Sequence, residues 1–159
     1  MDTASPKKMA IIASKGTLDM AYPPFILATT AAALGWEVQI FFTFYGLQLL
    51  RKDLKHIKIS PLANPAMPMP IPMPVLAGSI PGMQSMATAM MKQKIKKHGV
   101  ASLTDLRTLA LEADVKLIAC QMTIDLFEFK KSEFIGGIDF GGAATFLEYA
   151  GDADVTLFI

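Results

Sequence analysis

Short apolar runs alternate with longer amphipathic stretches along most of this chain. The runs have the length of buried strands, and the stretches between them repeat apolar residues at helical spacing. The runs that predict strands occupy residues 9–13, 37–42, 57–59, 115–120 and 155–159. Because strands that alternate with helices form parallel sheets, the pattern predicts a doubly wound α/β fold. We expect a mainly parallel sheet of about five strands with helices on both faces.

The residues at the ends of the amphipathic stretches indicate where helices begin and end. Gly35 is placed to end the first helix, as glycine commonly does. Pro23 and Pro24 are expected near the first turn of that helix, where a missing N–H breaks no hydrogen bond. Ser102 and Asp105 predict a capping box at a later helix. Helices are predicted over residues 20–34, 47–54, 82–97, 102–113, 123–129 and 143–150, with a glycine-rich loop over residues 136–142.

The segment over residues 59–91 contains no charged residue. It is longer than the roughly 20 residues that a membrane-spanning helix needs, but seven prolines interrupt it. Alternating proline forces an extended backbone whose polar groups find no partner in lipid. We therefore predict an apolar loop, inserted at about residues 60–82, that lies over a pocket or across a subunit interface. A membrane-facing role stays open as the weaker alternative.

Composition limits the classes of function. The chain fits a single domain, residues 1–159, and its hydrophobic fraction of 52% indicates a large buried core. A net charge of +1 gives little attraction to nucleic acid, so no such partner is predicted. The loop over residues 14–19 matches neither the dinucleotide motif nor the P-loop motif, and no cofactor is predicted. One cysteine excludes an intrachain disulfide and a multi-cysteine zinc site; no metal is predicted, and a reducing, cytoplasmic location is expected.

The only cysteine, Cys120, closes the predicted strand over residues 115–120 and precedes a predicted helix. In open α/β sheets, chemistry collects at the carboxyl ends of strands, and the N-terminus of a helix favours a thiolate. Gln121 and Thr123 offer hydrogen bonds and Met122 an apolar contact, whereas a carboxylate at Asp125 would raise the thiol pKa unless it faces outward. Free cysteines are also often small buried hydrophobes. The residues alone therefore leave a nucleophile and a core residue equally open.

Two further groups of residues are candidates for the walls of a pocket around this cysteine. Gly16 and Thr17 lie in the first strand-to-helix loop, whose N–H groups can bind a small anion, although a plain turn is the simpler interpretation. Met67 and Met69 belong to the proline- and methionine-rich loop, which we expect to cover the thiol. Thioethers also bind copper(I), but no histidine or cysteine lies nearby in the sequence, and packing is the favoured role.

Four stretches of the sequence resemble the DsrE/DsrF-like proteins, in particular the subgroup often labelled "DsrE family" or "peroxiredoxin family". They are SKGTLD at residues 14–19, ISPLANPAMP at 59–68, ACQMTID at 119–125 and FGGAATFLEYA at 140–150. The resemblance implies a doubly wound fold with flavodoxin-like layering, assembly into oligomers, and a sulfur-carrier or sulfurtransferase role with a persulfide on Cys120. The peroxiredoxin label finds no support, because the proline and threonine that precede the cysteine of true peroxiredoxins are absent.

Two functions of different classes follow from these features. The first is a sulfur carrier or sulfurtransferase in sulfur relay or sulfur oxidation, whose partners are sulfur-donor and sulfur-acceptor proteins or small sulfur compounds. The second is a non-catalytic protein that forms homo-oligomers, or docks on a membrane, through the methionine- and proline-rich loop and the lysine-rich helix end at residues 92–97. A homo-oligomer is expected in both cases, and peripheral membrane contact is the less favoured form of the second.

Overall fold

Five parallel strands form one sheet at the centre of the molecule. In this computed structural model, residues 5–64, 66, 68, 70–71 and 74–159 are described. The strands are β1 (Lys8–Ala13), β2 (Glu37–Phe42), β3 (Lys116–Cys120), β4 (Asp139–Gly141) and β5 (Val155–Phe158). Their order across the sheet is β4-β3-β2-β1-β5, and all four pairings are parallel. The predicted α/β fold with a parallel sheet of about five strands is confirmed.

Five α-helices connect or flank these strands. They are α1 (Leu18–Ala33), α2 (Met83–Lys97), α3 (Leu103–Glu112), α4 (Gln121–Leu126) and α5 (Ala143–Ala150). Short 3₁₀ helices cover Phe44–Leu50, Val75–Ser79 and Lys131–Glu133. The predicted capping box is present at α3, where the Ser102 hydroxyl accepts from the N–H of Asp105 (3.2 Å) and the Asp105 carboxylate accepts from the N–H of Ser102 (3.1 Å).

The two faces of the sheet contribute to separate hydrophobic clusters. Alternate residues of β1, β2 and β3 pack against α1 and α3 in the larger cluster. The smaller cluster lies on the other face, and α5 contributes Phe146 to it. Leu117 and Ala119 of β3 belong to the larger cluster, whereas Ile118 and Cys120 belong to the smaller one. The alternation of a strand therefore directs the Cys120 side chain toward α5.

The first helix begins at Leu18, two residues earlier than predicted, because tertiary hydrogen bonds fix its first turn. Both carboxylate oxygens of Asp19 accept from Ser60, one from its N–H (2.8 Å) and one from its hydroxyl (2.6 Å). Pro23 and Pro24 consequently lie inside α1 rather than near its first turn, so that part of the prediction is wrong. Pro24 is fully buried, and its ring packs in the core at a position where the backbone donates no hydrogen bond.

The chain between β2 and α2 differs from the prediction. The helix expected over residues 47–54 is instead the 3₁₀ helix Phe44–Leu50, held from outside by buried Arg107, which donates to the carbonyl oxygens of Leu49 (3.1 Å) and Arg51 (2.7 Å). The strand expected over residues 57–59 does not form. The N–H of Ile59 donates to the hydroxyl of Thr88 (3.1 Å) in α2, so this backbone pairs with a helix side chain and not with a strand.

Two elements around β3 also differ from the prediction. The loop expected over residues 136–142 contains β4, whose backbone pairs with β3 despite its glycines. The helix expected over residues 123–129 begins at Gln121, so Thr123 lies inside α4 and is not its cap. Thr123 is fully buried. Burial and strand pairing determine where these two short elements lie, and their local sequence alone does not reveal it.

Candidate functional site at the end of the third strand

Cys120 lies at the carboxyl end of β3, as predicted, and directly precedes α4. In the sheet, Ala119 pairs with Phe42 and Cys120 with Gly141. Thr43 directly follows Phe42, and the parallel register therefore brings Thr43 beside Cys120. The end of β2 thus contributes a hydroxyl to the site, which the segment around the cysteine alone does not reveal.

The thiol is buried in this structure. Cys120 is 4% exposed, and it belongs to the smaller cluster with Phe41, Ile118 and Phe146. The rings of Phe41 and Phe146 stack with centroids 5.4 Å apart, so α5 lies over the sheet at this point. A partner that reacts with Cys120 therefore has to gain access past α5 or α4.

Two threonine hydroxyls converge beside the cysteine. The hydroxyl oxygens of Thr43 and Thr123 are 3.3 Å apart, and the N–H of Phe44 donates to the Thr123 hydroxyl (3.1 Å). Phe44 has a φ of +47°, which is uncommon for a residue other than glycine. Because the Thr123 oxygen accepts from Phe44, its proton is directed away from that N–H. It is available to Thr43 or to the sulfur of Cys120.

These donors lower the pKa of the Cys120 thiol. Burial raises it, but hydrogen bonds from the hydroxyls of Thr123 and Thr43 and from the N–H groups of Thr123 and Met122 outweigh burial. The neutral thiol forms no capping hydrogen bond with α4. The same N–H groups nevertheless stabilise the anion, because a thiolate is a much stronger acceptor than a thiol. The site therefore favours the nucleophilic form of sulfur without a histidine.

The other residues that follow Cys120 have distinct surroundings. Met122 is 58% exposed, and it contributes its backbone N–H rather than an apolar wall. The side chain of Gln121 donates to the carboxylate of Asp125 (2.8 Å) on the surface of α4. Asp125 is exposed and is not among the groups that shift the Cys120 pKa. The Asp125 side chain therefore faces outward, on the surface of α4.

Gly16 and Thr17 do not line the same space as Cys120. They lie at the same edge of the sheet, in a cleft of about 550 Å³ whose wall also includes Tyr45. Cys120 and the three residues after it are not among the residues that line this cleft. Met67 and Met69, the predicted cover of the thiol, lie outside the described residues.

Sequence reasoning missed three contributors to the site: Thr43, Phe44 and Phe146. Thr43 has a detectable signal, since it follows a predicted strand just as Cys120 ends one, and parallel neighbours bring such ends together. The acceptor role of Thr123 toward Phe44 depends on the 3₁₀ helix, which has no comparable signal. Phe146 covers the cysteine only because α5 crosses the second face of the sheet.

The arrangement can support nucleophilic attack by sulfur. A thiolate that these donors favour, in largely apolar surroundings, can accept a sulfur atom and hold it away from bulk water. His56 and His98 are both exposed. Neither is among the groups that act on the pKa of Cys120.

Known proteins are similar to this chain over nearly its whole length. A protein of Allochromatium vinosum named "Sulfur carrier protein DsrE2" is 62% identical over 157 residues, which cover 96% of this chain and 98% of that protein. The "Uncharacterized protein YrkE" of Bacillus subtilis is 36% identical over 159 residues, which cover 99% of each chain.

The fold has a solved counterpart in the ychN protein from E. coli. The two structures superpose with a TM-score of 0.57 at 11% identity, covering 96% of this chain and 99% of that one, which supports the fold alone. The sequence itself matches the DsrE/DsrF/DrsH-like family over residues 5–158. The resemblance inferred from the four sequence stretches is thus confirmed, and the chain belongs to the DsrE/DsrF/DrsH-like family.

Proposed function

We propose that this protein is a sulfur carrier that holds sulfane sulfur as a persulfide on Cys120. The observation that carries the proposal is the set of donors from Thr43, Met122 and Thr123, which lowers the pKa of the thiol at the end of β3. The close relative from Allochromatium vinosum, which bears the name of a sulfur carrier, supports the same function. The donors and acceptors are persulfides or other small sulfane compounds, or proteins that carry them.

The transfer is a thiol–disulfide type of exchange with no net oxidation. The Cys120 thiolate attacks the outer sulfur of a donor persulfide, the sulfur–sulfur bond of the donor breaks, and the donor leaves as its thiolate. The product on the protein is a persulfide anion. An acceptor thiolate then attacks the terminal sulfur of Cys120 and releases the original thiolate. The hydroxyls of Thr43 and Thr123 stabilise the anion in both resting states.

Intact-protein mass spectrometry tests this function. Wild type incubated with a persulfide donor is expected to gain the mass of one or more sulfur atoms, reversible by a reducing thiol. Cys120→Ser is the variant without the nucleophile, and Cys120→Ala suits the apolar surroundings better if serine lowers the yield of folded protein. Equal mass gain in wild type and in both variants would remove the proposal.

A second candidate function is docking through an exposed apolar surface. Val75, Leu76, Ile80, Met86 and Met90 are all more than half exposed, and the 3₁₀ helix Val75–Ser79 contacts α2, whose last turn contains lysines. Exposed apolar side chains grouped in this way are typical of protein or membrane contacts. No helix in the described part of the chain is long and apolar enough to cross a membrane. The membrane form of this candidate is therefore peripheral contact, with lysines toward anionic lipid.

Vesicle flotation separates the membrane form from the others. Wild type is expected to float with vesicles that contain anionic lipid and to stay in solution with neutral ones. A double variant, Leu76→Ser with Met90→Ser, should lose flotation, whereas Leu34→Ser, which replaces an equally exposed leucine on α1, should keep it. Wild type that fails to float with anionic vesicles would exclude membrane docking and leave protein assembly.

A further inference from the structure

The cleft that contains Gly16 and Thr17 is not lined by Cys120 or by the three residues after it. Its volume of about 550 Å³ lies within the range of sites for small molecules. Five parts of the chain form its walls: the loop after β1, the first turn of α1, the 3₁₀ helix after β2, the coil before the apolar loop, and the start of α2. Its lining residues are Lys15, Gly16, Thr17, Met20, Tyr45, Gln48, His56, Ile57, Lys58, Ile59, Ser60 and Gln84.

The walls of this cleft are tied together by close backbone contacts. A Cβ atom on Gly16 would lie 2.2 Å from the carbonyl oxygen of Tyr45, so only glycine permits the approach of these two loops. The N–H of Leu18 donates to the carbonyl of Lys58 (2.7 Å), and the side chain of Gln84 donates to the carbonyl of Ile59 (2.8 Å). The cleft is therefore a built feature of the fold and not a gap between mobile side chains.

The charges that line the cleft are positive and lack partners. Lys15 and Lys58 form no ion pair, since Arg51 with Glu133 is the only pair within 4.0 Å among the described residues. Ser60, which lines the cleft, donates to both oxygens of the Asp19 carboxylate.

The remaining polar lining is uncharged or nearly so. Burial lowers the pKa of His56, and nearby Arg51 lowers it further against the opposing effect of Asp53, which favours the neutral imidazole. The hydroxyls of Thr17 and Ser60 are 3.3 Å apart and supply neutral hydrogen-bonding groups. Two ammonium groups therefore dominate the field inside the cleft.

We propose that this cleft binds a small organic anion, with its acid group between Lys15 and Lys58 and its apolar body against Met20 and Ile57. Two ammonium groups and nearby hydroxyls suit a carboxylate or a phosphate. The apolar floor and the Tyr45 ring suit a hydrophobic or aromatic body and give inorganic ions nothing to contact. The site does not involve Cys120, so this proposal does not depend on whether Cys120 transfers sulfur.

Titration followed by amide chemical shifts tests the site in the full-length protein, both as reduced wild type and as Cys120→Ala. Benzoate and phenyl phosphate are the probes that distinguish a carboxylate from a phosphate, and inorganic phosphate lacks the apolar body. At least one aromatic probe should give saturable shifts at Gly16, Thr17 and Lys58, beyond those of sodium chloride at equal ionic strength. Cys120→Ala should bind it as wild type does, even if Cys120 never carries sulfur.

Matched lysine variants complete the test. Lys15→Gln and Lys58→Gln should each weaken binding about tenfold, the expected loss for one charge-assisted hydrogen bond. Lys116→Gln removes an equal charge from an exposed lysine at the opposite edge of the sheet, and it should bind like wild type. The proposal is overturned if no aromatic probe gives saturable shifts, if chloride reproduces them, or if the three variants behave alike. Inorganic phosphate that binds as tightly as phenyl phosphate would overturn the role of the apolar floor.

Discussion

At the scale of single residues, the state of Cys120 depends on one hydroxyl that serves two neighbours. Thr123 accepts from the N–H of Phe44 and donates toward Thr43 or the sulfur. Thr43 has no comparable backbone donor among the described hydrogen bonds. The two threonines therefore differ in what their removal costs, although both stabilise the thiolate.

Replacement of either threonine by valine, which keeps the shape but removes the hydroxyl, should raise the pKa of Cys120. Loss of one hydrogen bond to an ionised group corresponds to about tenfold less thiolate at a pH below the pKa. Thr43→Ser and Thr123→Ser keep the hydroxyl and should restore the wild-type pKa. The ultraviolet absorbance of the thiolate, followed against pH, measures the effect. A serine variant that titrates like its valine counterpart would contradict the hydrogen-bond explanation.

The two valine variants should also differ in their free energy of unfolding. Thr123→Val leaves the N–H of Phe44 without its acceptor in a buried site, which costs about 1–3 kcal/mol of unfolding free energy. Thr43→Val leaves no backbone N–H without an acceptor, so it should cost less unfolding free energy. Urea denaturation of both proteins measures the difference. Equal loss in the two variants would show that the Phe44 contact contributes little.

The lowered pKa also makes stability depend on pH, with a definite sign. Because the folded-state pKa of Cys120 lies below its unfolded value, the thiolate adds stability that is present above the unfolded pKa. This contribution is lost as pH falls through the folded pKa. The unfolding free energy of wild type relative to Cys120→Ala should therefore rise with pH across that window. A difference that stays constant or falls would mean that the folded protein does not favour the thiolate.

At the scale of elements, α5 contributes to the burial of the cysteine. Phe146 stacks on Phe41 and belongs to the cluster that buries Cys120, whereas its neighbour Leu147 is 64% exposed. The helix has only eight residues, and Gly141 and Gly142 precede it. A short helix after a glycine pair thus covers the thiol, whereas Met67 and Met69 of the methionine-rich loop lie outside the described residues.

Removal of the Phe146 ring should therefore expose Cys120. Phe146→Ala is expected to increase the rate at which an aromatic disulfide reagent modifies the thiol, and to cost about 3–5 kcal/mol of stability. Phe146→Leu keeps more of the packing and should show a smaller increase in a more stable protein. Leu147→Ala is the control on the same helix and should react like wild type. Unchanged reaction rates in both Phe146 variants would place the route to the thiol elsewhere.

The helices and strands show which parts of the fold the local sequence can predict. Strands β1, β2 and β3 were predictable because each is a short, largely apolar segment, and α3 was predictable from its capping box. Strand β4 was not predictable, because a segment of three residues that includes glycine does not indicate a strand. It forms because its backbone pairs with β3. The start of α1 was missed for a related reason, because contacts with residue Ser60, distant in sequence, determine it.

At the scale of the whole molecule, the site was predictable in part. Cys120 and Thr123 lie in one segment, and the strand-end rule identifies them without a structure. Gly16 and Thr17 obey the same rule but line a separate cleft, since the sheet edge spans several strands and Tyr45 stands in the wall of that cleft. The rule locates an edge, whereas the loops after each strand determine which residues share a pocket.

The low burial of helix α2 bears on whether the chain assembles with other copies of itself. Only Thr88 is buried among its 15 residues, and the 3₁₀ helix Val75–Ser79 that contacts it contains no buried residue. A helix that buries so little of itself gains little stability from tertiary packing. We therefore expect the surface formed by Val75, Leu76, Met86 and Met90 to be covered by another copy of the chain.

Light scattering coupled to size exclusion tests this expectation. Wild type should have the mass of an oligomer, because burial of several large apolar side chains at about 25 cal/mol per Å² offsets the entropy lost on association. Leu76→Ser with Met90→Ser places two hydroxyl groups in the expected contact and should shift the mass toward the monomer. Leu34→Ser removes a leucine that is 70% exposed at the end of α1 and should leave the mass unchanged. A monomeric wild type, or an oligomer that the double variant does not weaken, would show that this apolar surface serves another contact.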